Sequence, residues 1–439
     1  MSGWIARLES HAMVAAAASL TLKIAGSVLA LVLFVLAARA LDVADYGRLV
    51  MLFNAASLVA VVAMAGQDTL ILRSWGEYAE RDPAAARAVL RFGAVVVGSG
   101  ATIAALGTAA VLAMVDGGLD AATIAAVAAF AATQTVVGYA GNTARAIGGA
   151  VRSETVRELV WRLPLFAFVA AGLVGAVPFG VLGFFVVAVV GQVVAIAAFA
   201  VVVVRGLPAT VRAARPGPMQ REWIGRSVAL TAAVASEAAH QYADVLMVGF
   251  VLGPEAAAGY FVIARIAGVF PMLTSGLHNY TSAKAAMLHY AGETEALRRL
   301  LAQVTGLAFV FVAGLLTAIV LAQGPLLGLF GEAYVGYGGP LVALSAITAF
   351  ATLTGPGSTL LMTMGLDVVY LKLVVTSLAV RISCLLVMAP AWGVWGAVLA
   401  VGAAVVPLST AAAATCARRF GVDPSIVGVG RRLVARVRR

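Results

Sequence analysis

The sequence predicts an all-α polytopic membrane protein of twelve transmembrane helices in two parallel six-helix bundles. Three observations predict it. Of its 439 residues, 62% are apolar and 11% charged, with a mean hydropathy of +1.01; a water-soluble domain carries roughly 45–50% and about 25%, so a soluble globular protein is excluded. Four uncharged stretches, 163–204, 300–331, 333–366 and 382–417, each exceed the ~20 apolar residues that cross a hydrocarbon core. Short landmarks also recur at one offset, which is the mark of an internal duplication.

Apolar runs set against charged breaks place the spans at 14–36, 46–66, 92–115, 121–141, 163–177, 181–204, 227–252, 259–277, 301–322, 338–364, 371–389 and 393–416. The first run is long and no small-residue cleavage site follows it, so it reads as a retained helix and not a signal peptide. Ahead of it, residues 1–13 set Trp4, Ile5 and Leu8 beside Arg7 and Glu9, a pattern for a helix lying on the membrane surface. The run 163–204 is ~63 Å long as helix, enough for two crossings, and Val177, Pro178, Phe179 and Gly180 supply its turn.

The duplication rests on two pairs of landmarks. Leu41 to Gly47 after the first span matches Leu252 to Tyr260 after the seventh, with Gly47 and Gly259 separated by 212 residues. Phe179 to Gly183 before the sixth matches Trp392 to Gly396 before the twelfth, with Gly180 and Gly393 separated by 213. An even number of spans per unit makes the halves parallel. The expected organisation is a bundle over 1–204, a basic linker over 205–226 that contains Pro208 and Arg215-Pro216-Gly217-Pro218, a bundle over 227–416 and a basic tail over 417–439.

Thirty Lys and Arg face twenty acids, for a net charge of +10. Twenty-five of the basic residues fall in alternate loops and the termini, including the Arg431 to Arg439 tail, and only Arg39 and Arg48 lie near the other face. That face is cytoplasmic by the positive-inside rule, with both termini on it. The opposite loops are short and carry Asp42, Asp45, Asp116, Asp120, Glu255 and Glu332, leaving no room for an extracytoplasmic domain. The basic residues are scattered between hydrophobic segments, so nucleic acid is not a partner; membrane lipids are, with the tail suited to an anionic surface.

Charges at bilayer depth are costly and usually face a cavity or a partner. In the first span Ser19, Lys23, Gly26 and Ser27 form one stripe, and in the seventh Glu237, His240, Gln241 and Asp244 form another; by the duplication the two helices are equivalent. Arg265 and Arg381 add two cations within spans. One reading is structural pairing, such as Lys23 with Glu237 and Arg265 with Asp244. The other is functional: Lys23, Arg265, Arg381 and Arg39 bind an anionic substrate, while Glu237, His240 and Asp244 respond to protons or sodium.

No site for other chemistry stands out. None of the three Lys follows a Gly, so no phosphate loop exists, and neither a Gly-x-Ser-x-Gly elbow nor His-Glu-x-x-His occurs. No cofactor and no catalytic residue are expected. His278 and His289 lack acidic or Cys companions for a metal, Asn279-Tyr280-Thr281 is a sequon on the wrong side of the membrane, and Cys384 and Cys416 read as small core residues.

Several segments together resemble a known family. Ala38-Arg39-Ala40-Leu41 through Tyr46-Gly47, Gly66-Gln67-Asp68 to Leu72-Arg73, Asp244 with Gly249, Leu252-Gly253-Pro254-Glu255 with Gly259-Tyr260, Leu329 to Tyr334, Leu361 to Gly365, and Gly393 to Ala397 are similar to the polysaccharide-transport branch of the multidrug/oligosaccharidyl-lipid/polysaccharide exporter superfamily. The resemblance implies two six-helix bundles in a V and alternating access. The implied activity is a flippase that turns an undecaprenyl-diphosphate-linked oligosaccharide from the inner to the outer leaflet, for O-antigen of lipopolysaccharide, capsule or exopolysaccharide. It further implies the bacterial inner membrane, an ion gradient of sodium or protons, polysaccharide polymerase machinery as a partner, and the family's seventh-span acidic position at Asp244. The sequence departs from the pattern at Asp42-Val43, where Gly-Pro is usual.

A drug or metabolite antiporter of the same superfamily shares these features but calls for a net-acidic cavity, which the three cations within spans, Lys23, Arg265 and Arg381, against Glu237, Asp244 and His240 disfavour. A membrane-embedded polymerase or ligase needs a catalytic extracytoplasmic loop, and none is long enough. A major-facilitator transporter shows a Gly-x-x-x-Asp-Arg-x-Gly pattern that loop 67–91 lacks. A scaffold that transports nothing is the remaining alternative.

Overall fold

A computed structural model describes the backbone of residues 2–115 and 118–430, and the side chains of all of these except 2–17, 20, 273–280, 282, 283 and 367. All regular structure among the described residues is helical. The chain divides into two compact units, Met1–Ala243 and Asp244–Arg439.

The first unit contains α1 (Ser2–Ala40), α2 (Val43–Ala63), α3 (Gln67–Tyr78), α4 (Pro83–Val115), α5 (Ala121–Gly148) and α6 (Ala150–Thr155). A π-helical turn (Val156–Val160) follows, then α7 (Arg162–Leu173), α8 (Val181–Gly206), α9 (Ala209–Ala213) and most of α10 (Arg221–Leu252). Asp42 caps α2 by accepting from Asp45 N at 2.7 Å. Asp120 caps α5 in the same way, and the Thr123 hydroxyl beside it holds its carboxyl below the ordinary value. Helix α5 packs on α2, α3, α4 and α8, and its Ala and Gly content permits the close backbone approach on which helix packing in lipid depends. Phe34, Phe53, Phe130, Phe184 and Phe185 interlock at its centre with ring centroids 5.2–6.5 Å apart.

The stretch read as a basic linker packs within this unit. Val211 is buried, Gly217 N donates to Ala84 O at 3.1 Å, and Arg87 donates to Arg212 O at 3.1 Å. The fully buried Trp223 then joins a cluster of Leu70, Ile71, Val89, Phe92 and Tyr139, and Gln67 Nε2 donates to Ser227 Oγ at 2.7 Å. The division between units therefore falls inside the continuous helix α10.

The second unit contains the end of α10 with α11 (Pro254–Ala267), α12 (Val269–Tyr290), α13 (Thr294–Gly328), a 3-10 turn (Glu332–Tyr337), α14 (Gly338–Leu353), α15 (Gly357–Thr363), α16 (Asp367–Trp392) and α17 (Val394–Phe420). Gly253, at φ +92, turns the chain between α10 and α11, where a side chain is strained, and Pro254 opens the next helix. Helix α13 kinks at Ala322, three residues before Pro325, because the ring removes a backbone donor and crowds the preceding turn. Helices α16 and α17 form a hairpin at Gly393. Its counterpart Gly180 is extended, at φ −163, whereas Gly393 has φ +59, so the matched landmarks have different backbones.

Ten helices among the described residues are long and apolar enough to cross a membrane, where the hydropathy reading expects twelve. The two that fall short have distinct reasons. Over 163–177 the only helix is the 12-residue α7, which follows the π turn. Over 227–252 helix α10 is long, at 32 residues, but Glu237, His240, Gln241 and Asp244 lower its hydropathy. Exposed Ile103, Leu106, Val111 and Met114 line one side of α4, and Leu307, Val310, Phe311 and Leu321 one side of α13. Apolar surface of that extent belongs against lipid, so the chain is a multi-pass membrane protein.

Candidate functional site

In the second unit the Gly253-Pro254 turn separates α10 from α11, and the Tyr260 side chain of α11 lies beside Asp244. Asp244 is 7% exposed and Tyr260 1%. The Tyr260 hydroxyl donates to Asp244 Oδ2 at 2.7 Å, and Arg381 Nη2, from α16, donates to the same oxygen. Arg381 is itself buried, at 9% exposure. A carboxylate so placed is tolerable only when ion-paired and hydrogen-bonded, and here it is both. The cation on Asp244 is thus Arg381 and not Arg265, whose guanidinium lies 4.7 Å from the centre of the Phe261 ring.

In the first unit the polar stripe of α1 meets the α6–π–α7 segment. Lys23 Nζ lies 3.9 Å from Glu154 Oε1, so its neighbouring carboxylate is Glu154 and not Glu237; Lys23 is half exposed while Glu154 is 1% exposed. The Ser27 hydroxyl donates to Lys23 O at 2.8 Å. Glu158 occupies the space that a Cβ on Gly26 would need, and Arg162 pairs with that carboxylate. Arg157 Nη2 donates to Asn142 Oδ1 at 3.0 Å and packs against Gly141, where no larger residue fits without displacing it. Arg157 also lies within electrostatic reach of Glu154, Arg145 and Asp68.

The remaining candidates are dispersed. Arg39 is exposed at the end of α1; on α10 Glu237 and Gln241 are exposed and His240 half-buried. Cys416 is buried, with its thiol 3.6 Å from Gly357 O, and Cys384 is half-buried. Among the described residues no three His, Cys, Asp or Glu gather to hold a metal. The surface reading of side chains 1–13, His278, the sequon side chains Asn279 and Tyr280, Asp116 and the tail 431–439 lie outside the described residues.

Sequence reasoning missed Glu154, Arg157 and Asn142, which it placed in or beside a cytoplasmic loop, and it quoted Tyr260 only as part of a motif. The one local signal for Glu154 was an acid among Arg145, Arg152, Arg157 and Arg162. Tyr260 carried none, since its partner lies one helix earlier.

The fold is similar to that of several solved structures. An inward-facing multidrug resistance MATE family transporter of the MOP superfamily matches with a TM-score of 0.74 at 14% identity, over 90% of this chain and 94% of that one. The same kind of transporter facing outward matches with a TM-score of 0.62 at 13% identity, over 93% of each chain. A MOP superfamily transporter from Pyrococcus furiosus, described by the reverse polarity of its binding pocket, matches with 0.62 at 12%, over 92% and 93%. No curated protein matches the sequence. At such identities the likeness establishes the fold alone, which this chain shares with those structures. The sequence model of the family described as polysaccharide biosynthesis protein matches residues 15–278, and because that is more than half of the chain, this protein belongs to that polysaccharide biosynthesis protein family.

Proposed function

We propose that this transporter turns a lipid-linked oligosaccharide, carried on undecaprenyl diphosphate, from the inner to the outer leaflet of the bacterial inner membrane for O-antigen, capsule or exopolysaccharide assembly. The observation that carries the reading is the family match over residues 15–278. The half-exposed Lys23 side chain on the polar stripe of α1 supports an anionic cargo such as a diphosphate, with Arg39, Arg265 and Arg381 as further cations. Two six-helix bundles working by alternating access, both termini cytoplasmic, and coupling to sodium or protons through Asp244, Glu237 and His240 belong to the same proposal. So do membrane lipids and polysaccharide polymerase machinery as partners.

A second reading has one specific support: solved neighbours are named as multidrug resistance transporters, which favours an ion-coupled antiporter for drugs or metabolites. Both readings are tested in liposomes containing the purified protein. Appearance of a fluorescent undecaprenyl-diphosphate oligosaccharide in the opposite leaflet, lost in Lys23→Ala or Asp244→Asn with folding intact, supports the flippase. Gradient-driven efflux of an organic cation without translocation of the lipid supports the antiporter.

A further inference from the structure

Glu154 is 1% exposed, and among the described residues neither of its carboxylate oxygens accepts a hydrogen bond. A carboxylate taken out of water is costly without donors and is ordinarily surrounded by them. Two cations neighbour it, and each is only partly committed. Arg157, three residues on, directs its guanidinium to Asn142 Oδ1 at 3.0 Å. Lys23 Nζ stands off at 3.9 Å, well beyond the ~2.7–2.9 Å of a charge-assisted hydrogen bond. Lys23 also keeps half of its side-chain surface exposed, so the side chain is not locked in place by packing.

The segment that holds Glu154 is built to keep it in place. Ser153 Oγ donates to Gly141 O at 2.7 Å, tying α6 to α5, and Gly149 at φ +89 sets the start of α6. The π turn begins directly after Thr155, and such turns recur where a helix departs from regular register to place functional groups. The carboxylate is therefore rigid, buried and under-satisfied, while its cationic neighbour is long and flexible.

We propose that Glu154 is an internal counter-ion, which occupies Lys23 in the empty transporter and competes with a phosphate-bearing anion for it. The proposal rests on the reading of an anionic cargo. A phosphate offers Lys23 more charge and a closer approach than the stand-off at Glu154, so it displaces the carboxylate. With Lys23 withdrawn, Glu154 retains Arg157 as its cationic neighbour. The competition sets the affinity so that cargo is bound but also released, which a transporter needs at both faces of the membrane. Glu154 acts here as a positioning residue, through Lys23.

Inorganic pyrophosphate is the probe, titrated calorimetrically into the purified full-length protein. Glu154→Gln, which keeps the shape and removes the charge, is expected to tighten binding about tenfold, one decade being about 1.4 kcal/mol, while Glu154→Asp stays near the native value. In the Lys23→Ala background Glu154→Gln is expected to change nothing. Unchanged or weaker binding in folded Glu154→Gln, absence of binding in both native and variant protein, or equal tightening with and without Lys23, overturns the proposal. The liposome assay reports the transport reading separately. Flipping by native protein alongside an unaltered Glu154→Gln affinity removes the counter-ion alone, whereas cation efflux without flipping removes the lipid-linked cargo and leaves the measured competition standing.

Discussion

Arg381 on α16 donates to the Asp244 carboxylate on α10, across 137 positions of sequence, and both side chains are buried within the second unit. Two helices that hydropathy treats as separate spans are joined there by one ion pair. Removing a single partner strands a charge in a dry interior, which typically costs about 3–5 kcal/mol. Asp244→Asn is therefore expected to lower thermal stability strongly in detergent, and the double variant Asp244→Asn with Arg381→Met to regain most of it. A single variant as stable as the native protein would show that the pair is not held in the folded state.

Tyr260 supplies the other donor to the same oxygen, at 2.7 Å. Tyr260→Phe removes that hydrogen bond without changing the packing, and a bond to a charged group is worth about 1.5–3 kcal/mol. The expected loss of stability is smaller than that of Asp244→Asn. In a double-mutant cycle the two are expected to be non-additive, because they share one carboxylate; simple additivity counts against the shared site.

Gly396 faces backbone and not a flexible side chain: a Cβ there meets the carbonyl of Met388, with Ala389 N at 2.8 Å. Gly396→Ala forces the α16–α17 hairpin apart, at an expected cost of about 1–3 kcal/mol for overpacking. Gly107, which has nothing within 4 Å of its Cβ position, is the control. Replacing it with Ala in helix α4 is expected to be neutral or stabilising by up to about 1 kcal/mol. Melting curves of the two variants test the contrast.

Trp223 is fully buried, its ring 5.8 Å from Phe92 and 6.2 Å from Tyr78. Trp223→Ala is expected to cost about 3–5 kcal/mol and to release the start of α10 and the stretch before it. Limited proteolysis between residues 205 and 226 would then accelerate. An unchanged cleavage rate would mean that this stretch is a true linker held by nothing in the first unit.

The sidedness proposed from the charge pattern is read by labelling. With Cys384 and Cys416 replaced, a Cys at Arg215 is expected to react with a membrane-impermeant maleimide only in inverted vesicles, and a Cys at Glu332 only in intact cells. The reverse pattern overturns the cytoplasmic assignment of the termini.

What the sequence determined by itself is what periodicity and hydropathy encode locally. The membrane class, most of the spans and the stripe holding Lys23 were all legible, because a 3.6-residue period and an apolar run are properties of one segment. The stripe on α10 was legible for the same reason, and yet its very polarity removes that helix from the count of spans that hydropathy alone supports. Tertiary structure decided the partners. Asp244 found Tyr260 at 16 and Arg381 at 137 positions' distance, and Lys23 found Glu154 in a stretch whose charges read as loop. It also decided that residues 205–226 pack within the first unit, through Trp223 and the contacts of Val211 and Gly217. The reason is physical: an unpaired charge costs free energy wherever it is buried, so the sequence announces that a partner must exist. Which partner it is depends on how helices distant in sequence pack, and no single segment carries that information.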